Sequence, residues 1–414
     1  MENKIKTDFE KAFKNFPLKE ELDFKKNNLE NFIKKGFPGK KMESWKFSDL
    51  NQIINRNLGE LNFYTDPTQK NLIDKSVIIK NFEHNKIVFI NGKIEEIDFN
   101  FEEKDKIQVS KGLSNQINSF EGNSLLSLNN AFCKNFYNIT IKTNYSMKKP
   151  LIIYHMINKD ISLTTVNSQL SFYLEKNSLL KIIDIYDEES EKNFINTFYN
   201  FSLKENAILK NFKIDNSQNN NIKYSFNNIE QEKNTISETF ILSNGSKFLK
   251  NEINCNLKGK YSSAFINGIF SLNTDKHHEI RTSVNHLVEN TKSYQLIKSV
   301  LGKDSKSIYQ GKIFVSPKAQ KTDGYQLSKA ILLDETSEFN AKPELEIYAD
   351  DVKCSHGSAS GSLNEDSIFY LMSRGLNYEQ SKELLINGFL LDVVDKITDV
   401  EIKNLIKNLI GVKE

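Results

Sequence analysis

The sequence predicts a mainly β chain: a β-solenoid between two α-helical ends. Helical spacing of apolar residues marks both ends of the 414 residues and is missing between about 76 and 350. Runs in that middle region, such as KIVFI at 86–90 and LIIY at 151–154, are β-branched or aromatic and bounded by polar turns. The middle also repeats itself. LEKNSLL at 174–180 returns as LKENAIL at 203–209 and as QEKNTI at 231–236, with the shared Asn177, Asn206 and Asn234 spaced 29 and then 28 residues apart. A period of about 20–50 residues without helical patterning is the mark of stacked coils, each too small to bury its own apolar face. A β-sandwich is the competing architecture, but its turns should recur every ~8–12 residues with no longer echo.

The N-terminal unit, residues 1–75, is expected to be helical. Phe9 and Phe13 are four apart, and after a break at Pro17 the stripe continues through Leu22, Leu29 and Ile33. FPG at 37–39 closes the stripe, and ESWKF at 43–47 holds the only tryptophan, Trp45. An aromatic anchor that packs this unit onto the next is the plain reading of Trp45. The β core is expected over 76–358, opening with SVII at 76–79; GKY at 259–261 and GKD at 302–304 read as later copies of the polar corner. The helical ends are expected to cap the stack.

Residues 359–414 return to helix. Asn364 is placed to cap a short helix closed by Gly375, and Asn377 a second one carrying Leu385, Phe389, Val393 and Ile397 at i+4. TDVE at 398–401 is a capping-box pattern that opens a third. Packing on the β core and docking a partner protein both suit helices this apolar.

Between core and tail lies the most informative stretch. A strand suggested by Leu345, Ile347 and Tyr348, with Pro343 at its start, leads through a loop holding Cys354 and His356. Two residues apart, a thiol and an imidazole face the same side wherever the chain is extended. They are the donors that iron and zinc favour, and the Gly, Ser and Ala residues of 357–362 leave room in front of them. Two ligands do not complete a cluster site, and a buried Cys beside a loop His accounts for them equally well.

Composition narrows the alternatives. Lys and Arg total 56 against 54 Asp and Glu, a formal charge of +2 that provides no broad basic field for nucleic acid or membrane surfaces. No apolar run suggests a membrane span, the N-terminus lacks a signal core, and Cys133, Cys255 and Cys354 are too scattered for a disulfide framework. A cytoplasmic protein is expected. Walker, Rossmann and GxSxG motifs are absent. His277, His278 and His286 read as structural or solvated, Cys133 and Cys255 as buried thiols, and KTDGYQ at 321–326 as a polar turn. A carbohydrate-active β-helix enzyme would need paired carboxylates on one face; Asp350 and Asp351 are adjacent and point to opposite faces.

Several phrases in order carry a family resemblance: GKIFVS at 311–316, AQKTDGYQ at 319–326, KPELEI at 342–347, DDVKCSHG at 350–357 and FYLMSRG at 369–375, with ESWKF at 43–47 and SVNH at 283–286 upstream. Together they resemble the SufB/SufD family of iron–sulfur cluster assembly proteins, and the length and the CSHG phrase resemble its SufD-type members. The resemblance implies a right-handed parallel β-helix between helical domains, in a scaffold subunit that is not an enzyme. It also implies a complex with a SufB-like subunit and a SufC-like ABC-type ATPase, the latter docked by the C-terminal helices, among them Phe369, Arg374, Leu385, Phe389 and Val393. His356 and Cys354 become candidate ligands of a transient Fe–S cluster shared with the SufB-like partner, with no cofactor bound permanently. A purely structural partner, with no ligand role for either residue, is the rival within the family. An exposed β edge near 340–355 would also support a homodimer of the isolated chain.

Overall fold

The computed structural model describes residues 2–14, 19–64, 79–112, 122–134, 136–188 and 190–410. The expected break at Pro17, residues 76–78 of the first strand-like run and the domain limit at 75 lie outside them.

Among the described residues, strands from Tyr137–Ile141 onward alternate between two sheets, one of ten strands and one of nine, to make a β-solenoid of about eight coils. Within each sheet the pairing is parallel and unshifted over long stretches. Leu170, Tyr199, Asn227 and Ile253 follow one another up the nine-stranded sheet. That register excludes the β-sandwich. The repeated asparagines sit at the corners in the left-handed conformation, Asn177 at φ 57°, Asn206 at 61° and Asn234 at 58°. Asparagine tolerates that conformation better than most residues. Their amides also form a ladder: Asn206 Nδ2 donates to Asn177 Oδ1 at 2.7 Å, and Asn234 Nδ2 to Asn206 Oδ1 at 3.0 Å.

Each sheet is covered on both sides. Inside, Leu170, Phe172, Leu180, Phe201, Leu209, Ile253 and their neighbours fill the solenoid. Outside the nine-stranded sheet, the N-terminal helices Glu2–Phe13, Lys19–Lys35 and Leu50–Asn57, with the short helical turn Glu43–Trp45, pack Ile5, Phe9, Phe32 and Trp45 against Phe194, Phe198 and Tyr224. Outside the ten-stranded sheet, the C-terminal helices Tyr378–Val394 and Val400–Leu409 lay Leu390, Val393, Ile402 and Ile406 on Ile183, Phe212, Phe240 and Leu296. The helical units therefore line the flanks and do not cap the ends. The first end is closed by antiparallel strands instead, Lys93–Asp98 against Asn85–Ile90 and Ile107–Lys111 against Tyr137–Ile141.

Three local expectations change. A helix, Ser124–Phe132, lies inside the span read as wholly β; it is buried almost all round, so no polar face betrays its period. The third C-terminal helix is capped by Asp399, which accepts from the Ile402 N–H at 3.2 Å, and not by Thr398. Pro343 lies mid-strand in Glu338–Ile347; that strand is the sheet's last, so the missing N–H breaks no ladder.

Candidate functional site

The second end of the solenoid is open. Among the described residues, Glu338–Ile347 ends the nine-stranded sheet and Val352–Gly361 ends the ten-stranded one, each with one unpaired edge. Cys354 and His356 therefore lie on a strand and not in a loop, and the strand runs on to Gly361, past the core limit expected at 358. It pairs with Thr322–Leu332, so KTDGYQ is mainly strand too, only Lys321 remaining in the corner at φ 58°. The period-2 alternation of Thr322, Gly324 and Gln326 was the signal that this stretch is extended.

Register fixes where the two ligand candidates point. Thr322, Gly324, Gln326 and Ser328 are the buried, inward-facing positions of their strand, and Gly324 pairs with Cys354 and Gln326 with His356. Both side chains thus share the face that looks into the solenoid, at the level where no further coil covers it. Cys354 is half-buried against Ile313, Val315 and Ala349. Burial pushes its thiol above the ordinary value; a backbone hydrogen bond from Gly324 offsets part of that, and the Asp323 charge adds to it. His356 is exposed. An open imidazole next to a protonated thiol makes His356 the readier metal ligand. Among the described residues, no three His, Cys, Asp or Glu converge on a metal position. What this chain presents is two donors on an open face.

The other sequence candidates are structural. His277 Nε2 is 2.8 Å from Glu279, His278 is enclosed between Ser243 and the Ser246 carbonyl, and His286 between Thr291 and Ser293. Cys133 and Cys255 are buried, and burial lifts the Cys255 thiol to about 12. Trp45 is the expected anchor: its ring lies 4.6 Å from the ammonium of buried Lys250, which pairs with buried Glu279 at 2.5 Å.

The tail divides its apolar residues between two tasks. Val393 is fully buried against the sheet and Phe389 lies half-buried, 4.5 Å from the Lys298 ammonium, so these two expected docking residues serve the chain's own packing. Leu385 is half-buried. Phe369 is 74% exposed, and Tyr370, Met372, Tyr378 and Leu384 are exposed near it in sequence. Arg374 lies 5.2 Å from the centre of the Tyr370 ring. The helical stripe finds the buried members of this set; of the exposed ones Phe369 was expected from the family resemblance, while Tyr370, Met372, Tyr378 and Leu384 were missed because they follow no period.

Residues 155–389 match the family model described as SUF system FeS cluster assembly, SufBD core domain. The iron-sulfur cluster assembly protein SufD of Escherichia coli (strain K12) is 25% identical over 398 residues, covering 93% of this chain and 91% of its own length. The chloroplastic protein ABCI7 of Arabidopsis thaliana is 22% identical over 401 residues, covering 92% and 84%. A SufBD family protein of Synechocystis is 26% identical over 291 residues, covering 67% and 63%. A family match across more than half the chain, on a β-solenoid that ends in the CSHG strand, places this protein in the SufBD family of iron–sulfur cluster assembly proteins.

Proposed function

We propose that this chain is a SufD-type scaffold subunit, without turnover of its own, on which a nascent Fe–S cluster forms as transient cargo between it and a SufB-like partner. The observation that carries the reading is the pairing of two metal donors, Cys354 and His356, with an unpaired strand edge at an uncovered end. A partner strand added to that edge would bring further ligands to the same face and satisfy the free backbone groups. His356 is the primary ligand; Cys354, with its thiol held protonated, joins once metal displaces the proton. The absence of any nucleotide-binding motif in the sequence agrees with hydrolysis on a separate SufC-like ATPase. Its seat is the exposed apolar stretch around Phe369, Tyr370 and Leu384. A reducing cytoplasm suits the three free thiols. Without the SufB-like chain, the same edge supports a homodimer.

The test is co-expression with SufB-like and SufC-like subunits, followed by iron and sulfide analysis. His356→Ala should assemble the complex normally yet accumulate severalfold less iron and sulfide, and Cys354→Ser should lose less. Wild-type yield in His356→Ala removes the ligand role and leaves the purely structural reading.

A further inference from the structure

The C-terminal helices leave part of the ten-stranded sheet's outer face uncovered. Beside the link between Tyr378–Val394 and Val400–Leu409 lies a cavity of about 480 Å³. Its floor follows from strand register. Phe265, Tyr294 and Tyr325 are partners on successive strands, and Phe240 and Asn267 pair two residues further along the same face. The Tyr294 and Tyr325 rings are 5.3 Å apart between centres, with planes 30° apart, and both are only half-buried. Lys396, Ile397 and Thr398 of the link close the other side. Lys210 ties that link to the floor, donating to Thr398 Oγ1 at 2.5 Å and pairing with Glu238 at 3.4 Å.

Small-molecule sites are mostly apolar hollows of roughly 300–1,000 Å³ with a few polar groups that fix orientation. The polar group set among these rings is Asn267, whose Oδ1 is buried and has no hydrogen-bond partner among the described residues. An amide there offers a donor or an acceptor according to which end it turns. Charge is concentrated at the rim. Glu238 is held by Lys210, so Lys292 and Lys396 stand against the single carboxylate of Asp323. Asp392 also acts on Lys396, but it is paired with Lys298 at 2.7 Å. One positive charge is left over.

We infer that this cavity binds a flat aromatic anion of one or two fused rings. The rings of Phe265, Tyr294 and Tyr325 stack or edge against it, Asn267 hydrogen-bonds to its edge, and its carboxylate or similar group lies toward Lys292 and Lys396. Gly324 and Gln326, on either side of Tyr325, are the partners of Cys354 and His356. The cavity therefore lies on the opposite face of the sheet from the two metal donors, and it does not depend on their role. An occupant would touch both the sheet and the helix link, and so hold the C-terminal helices in place.

The experiment is a ligand-observed NMR titration of the full-length chain with 2-naphthoate and, as its uncharged match, 2-naphthamide. Naphthoate should bind saturably at one site, with a Kd of about 0.5 mM or tighter, a range open to a ligand of this size. Tyr294→Ala should weaken both probes by about threefold to tenfold, the worth of a stacked ring. Asn267→Leu should weaken both by about fivefold, the worth of one net hydrogen bond. The double variant Lys292→Gln, Lys396→Gln should weaken naphthoate about threefold and leave naphthamide unchanged. Phe369→Ser, in the exposed tail, should change neither. Trp45 emission reports an intact fold, and Asn267→Leu decides alone where Tyr294→Ala does not fold. Naphthoate binding that never saturates, that is unmoved in the folded cavity variants, or that is lost in Phe369→Ser overturns the inference. Equal affinity for the two probes overturns the choice of an anion.

Discussion

Replacing Lys250 by Met tests the junction that holds the N-terminal helices to the solenoid. Lys250 Nζ is 2.5 Å from Glu279 Oε2, and both side chains are at most 1% exposed. Glu279 also accepts from Ser48 Oγ at 2.6 Å, and its other near partner is His277 Nε2 at 2.8 Å. Burial alone would raise the carboxyl, but Lys250 and His277 hold it down to about 2, against an ordinary 4.5. At roughly 1.4 kcal/mol per pH unit, that difference is worth about 3 kcal/mol at neutral pH. The depressed carboxyl gives stability that is complete above about pH 4.5 and lost as pH falls toward 2. Lys250→Met strands the carboxylate and should cost about 3 kcal/mol at pH 7. The double variant with Glu279→Gln keeps Ser48 and His277 partnered and should come within about 1 kcal/mol of wild type. Urea titration reads this well, because the chain has one tryptophan and it sits on Lys250. Trp45 emission should move to lower urea by about 1 M, taking a slope of about 3 kcal/mol per M. The far-UV signal of the strands should follow later, so the two transitions separate. Coincident curves for wild type and the single variant would refute the idea that a stranded Glu279 carboxylate loosens the helices from the solenoid.

The remaining predictions concern the solenoid. Burial holds His278 and His286 at about 4, against an ordinary 6.5. The unfolded chain therefore takes up these protons first, and stability should fall from about pH 6.5 toward 4 by up to about 3 kcal/mol per histidine. His286→Gln should flatten that decline, and a urea midpoint that is constant between neutral pH and pH 4.5 would contradict it. Asn206→Ala should cost about 2 kcal/mol, since it loses both the tolerated left-handed conformation at φ 61° and two ladder hydrogen bonds. Asn206→Gly should recover the backbone share, about half, in the same unfolding assay. Gly302→Ala would place its Cβ 1.9 Å from the Asn273 carbonyl oxygen, a backbone clash worth about 3 kcal/mol. Gly361→Ala meets nothing within 4 Å and should change stability by less than about 0.5 kcal/mol; equal effects at the two glycines would show that the corner is not tight.

The coil period was legible because each corner needs a left-handed residue, and Asn177, Asn206 and Asn234 keep that position through the repeat. Which way each strand residue points was harder to read. In an ordinary half-exposed sheet, alternation separates core from solvent. Here the solenoid interior takes one face of each sheet and a helical unit much of the other, so Leu209 inside and Phe212 outside look alike in sequence. Polar residues then carry no orientation either. Lys213 and Asp184 would be taken as surface positions, yet they pair at 2.6 Å within the solenoid, beside His155. Their register is what reveals them, and register comes only from the stacked coils.

The same reasoning explains why half of the candidate site was readable. A Cys-x-His spacing puts both donors on one face of any extended strand, so Cys354 and His356 were paired before any fold was known. Nothing in the two residues themselves says that their strand is the last. That follows from what comes after them: residues 357–362 have no side chain able to fill a further coil, and the chain then turns into a helix capped by Asn364. Small residues that look like free space around a site are therefore also the reason the stack ends there. The end they create differs along its two edges. Glu338–Ile347 carries Lys342, Pro343, Glu344 and Glu346, charges and a proline of the kind that discourages strand addition. Val352–Gly361 carries one lysine and no proline. Under the proposed function, the unguarded edge is the one bearing the metal donors, so the strand a partner pairs with is also the strand on which the cargo is built.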